Sequence, residues 1–179
     1  IVSNSFCDIK QKYEFYNSYA FCIIEKIFKK MITPFDDTYF MKKALDEANV
    51  AFDKGEVPVG AIIVFKDQII ARAHNLTETL NDVTAHAEMQ AFTAASDYLG
   101  GKYLKDCTLY VTLEPCQMCA GASYWAQIGK IVYGASELDR GFVNLNTKLH
   151  PKTKVLKGIL ENDCSLLLKR FFVEKRNLN

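Results

Sequence analysis

At 179 residues, with 49% hydrophobic and 24% charged side chains, the chain has the make-up of one buried domain, with no low-complexity segment or internal repeat. No apolar run reaches the length of a bilayer span, which argues against a membrane protein built on helices. The net charge of +1 favours no polyanionic partner by itself, but it is unevenly spread: residues 36–100 carry 5 Lys/Arg against 11 Asp/Glu, and residues 101–179 carry 12 against 7. A basic C-terminal half suits either phosphates or a solvated helix face. The six cysteines, at 7, 22, 107, 116, 119 and 164, are too sparse for a disulfide scaffold, so a reducing, cytoplasmic setting is expected.

Residues 1–30 are rich in aromatics and contain no Gly or Pro. Phe21, Ile24 and Phe28 have helical spacing. Met31 is the expected initiator, with 1–30 an N-terminal extension outside the native protein and 31–179 the working domain.

From Asp36 the pattern is orderly. Asp36 and Asp37 can cap a helix whose apolar positions Phe40, Met41, Ala44, Leu45, Ala48 and Phe52 recur at three and four, with Gly55 ending it. "VPVGAIIVFKDQIIARAH" reads as two strands about a turn at Lys66-Asp67-Gln68. A polar loop from Asn75 to Asp82 leads to the helix "TAHAEMQAFTAASDYL", with Thr84 as N-cap and Gly100-Gly101 at its end. A strand over 107–113, a helix over 116–127 and the strand "KIVYGA" follow. A turn-rich loop then gives way to a C-terminal helix over "LKGILENDCSLLLKRFFVEKR". Strands alternating with helices predict a three-layer α/β/α domain around one sheet.

Chemistry centres on "LYVTLEPCQMCAGA". Cys116 and Cys119 stand three apart at a helix entrance, where the dipole favours thiolates. Alone, they suit a metal and a thioredoxin-like redox pair equally well. Upstream, in "TAHAEMQ", His86 and Glu88 also begin a helix. One His and two Cys make three zinc ligands, leaving a fourth position for water. Glu88, two residues beyond the His, is better placed to serve that water than to ligate. Because two thiolates cancel the Zn²⁺ charge, a nearby base becomes necessary.

H-x-E followed by P-C-x-x-C is the signature of zinc nucleobase deaminases. "KGEVPVGAIIV", "ARAHN", "DVTAHAEMQA", "LYVTLEPCQMCAGA", "IGKIVYGAS" and "ILENDCSLLLKRFF" together resemble the bacterial tRNA-specific adenosine deaminases of the cytidine deaminase superfamily, from about Asp36 onward. The resemblance implies a cytidine deaminase-like fold with a mixed, about five-stranded sheet. It also implies zinc on His86, Cys116 and Cys119, with Glu88 carrying protons as adenosine becomes inosine at the tRNA wobble position. It further implies a ribose contact from Asn75, base-contacting walls at Val59 and Ala87, and an RNA-facing C-terminal helix around Phe171 and Phe172. The family is homodimeric and acts on the anticodon stem-loop, and Met118, Ala122 and Trp125 are candidates for the dimer face.

There are departures. Glu137 stands where the family often has Asp, and the loop over 140–154 is differently composed, with Lys148, His150, Lys152 and Lys154 crowding together. "SYWAQ" at 123–127 is similar to guanine deaminases. The rival readings are therefore a deaminase of guanine, cytosine or dCMP, and, from another class, a non-catalytic zinc or RNA-binding module. The latter needs a fourth ligand from Cys107, Cys164, His74 or His150.

Overall fold

A computed structural model describes residues 35–177. The extension over 1–30, its boundary at Met31 and the helical spacing of Phe21, Ile24 and Phe28 lie outside the described residues.

Helix α1 (Asp37–Asp53) buries Phe40, Met41, Ala44 and Ala48 of the predicted stripe, leaves Leu45 and Phe52 half-buried, adds Ala51, and stops before Gly55 at φ +75°. Strands β1 (Gly60–Phe65) and β2 (Gln68–His74) form a hairpin, Phe65 pairing with Gln68 across a two-residue turn. Lys66 and Asp67 both take positive φ, 49° and 61°, the hand that matches the twist of the flanking strands. The turn is thus one residue shorter than expected, Gln68 belonging to β2. Helix α2 (Ala87–Leu99), β3 (Cys107–Leu113), α3 (Gln117–Ala126) and β4 (Lys130–Ala135) follow as predicted within a few residues.

Two boundaries differ. Thr84 does not cap α2; its N–H and hydroxyl both turn back to Asp82, and His86 holds the N-cap position. Residues 154–157, placed at a loop and helix start, form strand β5 (Lys154–Lys157), and the last helix, α4 (Glu161–Asn177), begins only after Gly158 (φ +81°) and Leu160 (φ +54°). The short, mostly exposed β5 has no alternating apolar face to announce it. Its partner β4 is distant in sequence, so pairing rather than local propensity makes it a strand.

The five strands order as β2-β1-β3-β4-β5, with antiparallel pairing about β1 and parallel pairing from β3 to β5. One face presents Ile62, Val64, Tyr110 and Val132 to Phe40, Met41 and Ala44 of α1 and to Cys164 of α4. The other presents Ala61, Ile63, Leu109, Val111 and Ile131 to Ala87, Ala91 and Ala95 of α2 and Ala120 of α3. This is the predicted three-layer mixed α/β/α domain. Gly60 permits the close packing of α1 on β1, since a Cβ there would collide with the Ala44 carbonyl.

Candidate active site

The N-termini of α2 and α3 meet at one end of the sheet, each after a strand that ends there. Helix N-caps are ordinarily Ser, Thr, Asp or Asn, whose oxygens accept from the first turn. Here the N-caps are His86 and Cys116, both extended, and neither makes a side-chain capping bond. Their side chains turn instead to each other. His86 Nδ1 lies 3.7 Å from Cys116 Sγ and 3.5 Å from Cys119 Sγ, the latter one turn into α3. The three candidate ligand atoms fall within 4.8 Å of one another, so one metal ion can be gripped by all three. Among the described residues no fourth His, Cys, Asp or Glu joins the group.

The electrostatics fit ligation. The hydrogen bond from Cys119, with a further one from His86, holds the Cys116 thiol down at about 4 despite burial. That proton sharing and burial push Cys119 up. The bond to Cys116 raises His86 against the effect of burial. The group shares protons among ligand atoms that a metal would replace. Glu88, at the second position of α2, is 4% exposed, and burial drives its carboxyl up; it also reaches the Cys119 thiol. A raised carboxyl in a cleft beside three such ligands has the profile of a proton carrier.

These groups open onto a cavity of about 1010 Å³ whose lining includes Val59, Asn75, His86, Glu88, Cys116 and Phe172. Of the residues singled out by sequence, these converge. Cys119 sits behind them, 1% exposed. Ala87 does not form a wall: its side chain is fully buried in the core beneath α2, because the helix turns that position to the sheet. The two C-terminal phenylalanines also part ways. Phe171 packs on Phe52 inside, while Phe172 is 47% exposed and faces the cavity with Lys169 and Arg176. Lys148 stands apart from the basic lining at the sheet's other end, where Lys105, Lys130, His150, Lys152 and Lys154 surround a second cavity of about 580 Å³.

Two buried acids beside the cavity escaped the sequence reading. Glu56, fully buried, accepts from the backbone N–H of Thr79 at 2.7 Å and Glu78 at 3.2 Å, and from Asn75 Nδ2 at 3.1 Å. Burial alone would raise its carboxyl, yet the bonds from Thr79, Glu78 and Thr77 together hold it below the usual range. Glu114, 5% exposed, accepts from the N–H of Val143 at 2.9 Å and of Glu137 at 3.2 Å. Gly141 must be glycine for that approach, since a Cβ would collide with the Glu114 carboxylate. Each acid fastens one wall of the cavity. A lone carboxylate inside an apolar, proline-containing run ("GEVPVG", "TLEPC") was the available signal, since a buried acid must find donors.

Residues 35–177 match the family model of the MafB19-like deaminases. The tRNA-specific adenosine deaminase of Aquifex aeolicus (strain VF5) is 48% identical over 145 residues, 78% of this chain and 95% of that protein. A solved structure from work on A-to-I editing by tRNA:A34 deaminases at the wobble position is 41% identical with a TM-score of 0.69, covering 73% of this chain and 99% of the other. The guanine deaminase of Bacillus subtilis is also 41% identical, with a TM-score of 0.56 over 59% of this chain and 68% of its own. The chain therefore belongs to the MafB19-like deaminase family and, within it, groups with the tRNA-specific adenosine deaminases.

Proposed function

We propose that this chain deaminates adenosine to inosine at the wobble position of a tRNA anticodon, using one Zn²⁺ held by His86, Cys116 and Cys119. The observation that carries the reading is the meeting of one imidazole, two sulfurs and the buried Glu88 carboxyl beneath a cavity edged by Phe172, Lys169 and Arg176. Tetrahedral zinc with ordinary Zn–S and Zn–N bonds separates sulfur from nitrogen by about 3.6 Å. The separations of 3.7 and 3.5 Å between His86 Nδ1 and the two sulfurs leave room for such an ion.

Zinc held there by His86, Cys116 and Cys119 would supply Lewis-acid activation of the attacking water. Glu88 takes a proton from that water and delivers it to adenine N1, so that C6 accepts the oxygen. Glu88 then passes the second proton to the departing amino group, and ammonia leaves. Adenosine and one water become inosine and one ammonia. Val59 contacts the base and Asn75 the ribose. Phe172, flanked by cations, suits an unstacked base and its phosphates, which favours an RNA loop over a free base.

The working form in this reading is a homodimer. Support comes from large apolar side chains left exposed on or beside α2 and α3: Val83, Tyr98 and Trp125. A reducing cytoplasm fits the free thiols of Cys107, Cys116, Cys119 and Cys164. No helix among the described residues is long and apolar enough to cross a membrane.

The test is to incubate the protein with an anticodon stem-loop carrying adenosine at the wobble position, and separately with free guanine. Inosine in the RNA and no ammonia from guanine is the expected result. Ammonia from guanine with an unmodified stem-loop would replace the substrate, and neither product would overturn the assignment to the tRNA wobble adenosine.

A further inference from the structure

Asn75 is 5% exposed and lines the main cavity, so what its amide offers there matters. Its Nδ2 is already used twice, at 3.1 Å from Glu56 Oε2 and 2.9 Å from Thr77 Oγ1. An ionised carboxylate only accepts hydrogen bonds, so Glu56 permits one orientation of the amide, with nitrogen inward. The oxygen Oδ1 is then the polar atom left for a ligand. Glu56 also holds the backbone N–H groups of Glu78 and Thr79, so the whole turn behind Asn75 is pinned by one side chain.

An acceptor in the cavity needs a donor on the substrate. Adenine N1, N3 and N7 are acceptors, and the exocyclic amino group is the group that leaves beside Glu88. Within a strand, the 3′ oxygen is esterified, so the 2′-OH is the one hydroxyl donor an internal nucleotide retains. Resting on the deaminase reading above, we propose that Glu56 is a positioning residue that locks Asn75 as a hydrogen-bond acceptor for the 2′-OH of the target nucleotide. Glu56 thereby makes the enzyme select ribose over deoxyribose. It touches no substrate atom and acts through Asn75.

The variant to compare is Glu56→Gln, nearly isosteric, whose amide can present N–H to Asn75 and so permit the reversed orientation. The full chain is assayed on two stem-loops that differ only in a 2′-deoxy substitution at the target adenosine, and kcat/KM is read for each. The wild type should favour the ribose form by on the order of 10-fold, the worth of one buried hydrogen bond. Glu56→Gln and Asn75→Ala should each bring that ratio close to 1, and the double variant should lose no more of it than either alone. Glu56→Asp, which keeps a carboxylate, should retain a clear ribose preference.

If Glu56 serves folding alone, Glu56→Gln lowers both rates together and leaves the ratio intact, which overturns the inference. A ratio unchanged in Asn75→Ala overturns it as well, while inosine production leaves the deaminase reading standing. A wild type that forms no inosine overturns both. Thermal melts of each variant keep loss of fold separate from loss of selectivity.

Discussion

The sheet has a concavity at each end, and the two are built on opposite plans. At the end where β3 and β4 finish, the cavity is floored by His86, Glu88 and Cys116, and its walls are tied by Glu56 and Glu114. At the end where β4 begins, the charged lining is chiefly lysine (Lys105, Lys130, Lys152 and Lys154, against Asp106), with an exposed rim. Lys130 there is paired with Asp37 at 2.8 Å, and Asp37 also accepts from Tyr110, so this lysine secures α1 to the sheet. The first end buries acids and sulfurs at a cost that only a precise arrangement recovers; the second keeps its charges solvated. Helix N-termini converge on the first, as expected of the carboxyl ends of parallel strands. Preorganised, desolvated polar groups separate a chemical site from a merely charged hollow.

Substitutions test this contrast, and the largest effects belong to the first end. His86→Ala or Cys119→Ser should abolish inosine formation, a loss of at least about 10³-fold, together with the bound metal. Metal analysis by mass spectrometry after gel filtration reads the second effect directly. Full metal with full activity in either variant would dissolve the site.

Next in size is Glu114→Ala, which frees the loop over 137–143. A fall in kcat/KM of about 10² is expected, since misplaced site walls cost rate without touching chemistry. Steady-state kinetics should show it with the metal retained. A rate within twofold of wild type would mean the wall holds itself.

A pH effect follows from Glu56. Its carboxyl is held below its unfolded value, so it adds stability above the unfolded carboxylate range, about pH 4.3, and loses that contribution as pH falls through the lower folded value. Glu56→Gln should therefore melt lower than wild type at neutral pH, by about 5 °C, and the gap should close on acidification. Calorimetry between neutral and acid pH checks this, and a gap that widens in acid would reverse the sign. The smallest effect is expected at the second end: Lys152→Ala with Lys154→Ala should change kcat/KM on the stem-loop by less than about threefold. A drop of tenfold or more, steepening at low salt, would make that hollow part of the RNA footprint.

Much of this was legible in the chain because it is written locally. The period of Phe40, Met41, Ala44 and Ala48 is that of α1, and the β-branched runs about Lys66-Asp67 are the hairpin. His86, Glu88, Cys116 and Cys119 could be read as one group because the spacing of a known signature singles them out, and they do come together at one cavity. Strand β5 could not be read, because a four-residue exposed edge is made by its pairing with β4. Ala87, expected as a base-contacting wall, and Phe171, expected on the RNA-facing side of the last helix, are both buried for a related reason. Adjacent helical positions point different ways, and only packing reveals which one faces the sheet. Glu56 and Glu114 stayed hidden because their partners are 19 to 29 residues away, and no spacing rule connects an acid to the loop it will tie.

The most direct test is a paired measurement on purified Glu88→Ala: zinc per chain and inosine formed in the stem-loop, against the wild type prepared alongside. The account predicts one zinc per chain in both proteins and a loss of inosine of at least about 10³-fold in the variant. Undiminished inosine from a zinc-loaded variant would contradict it, because the proton would then be moving without the carboxyl that this site buries to move it.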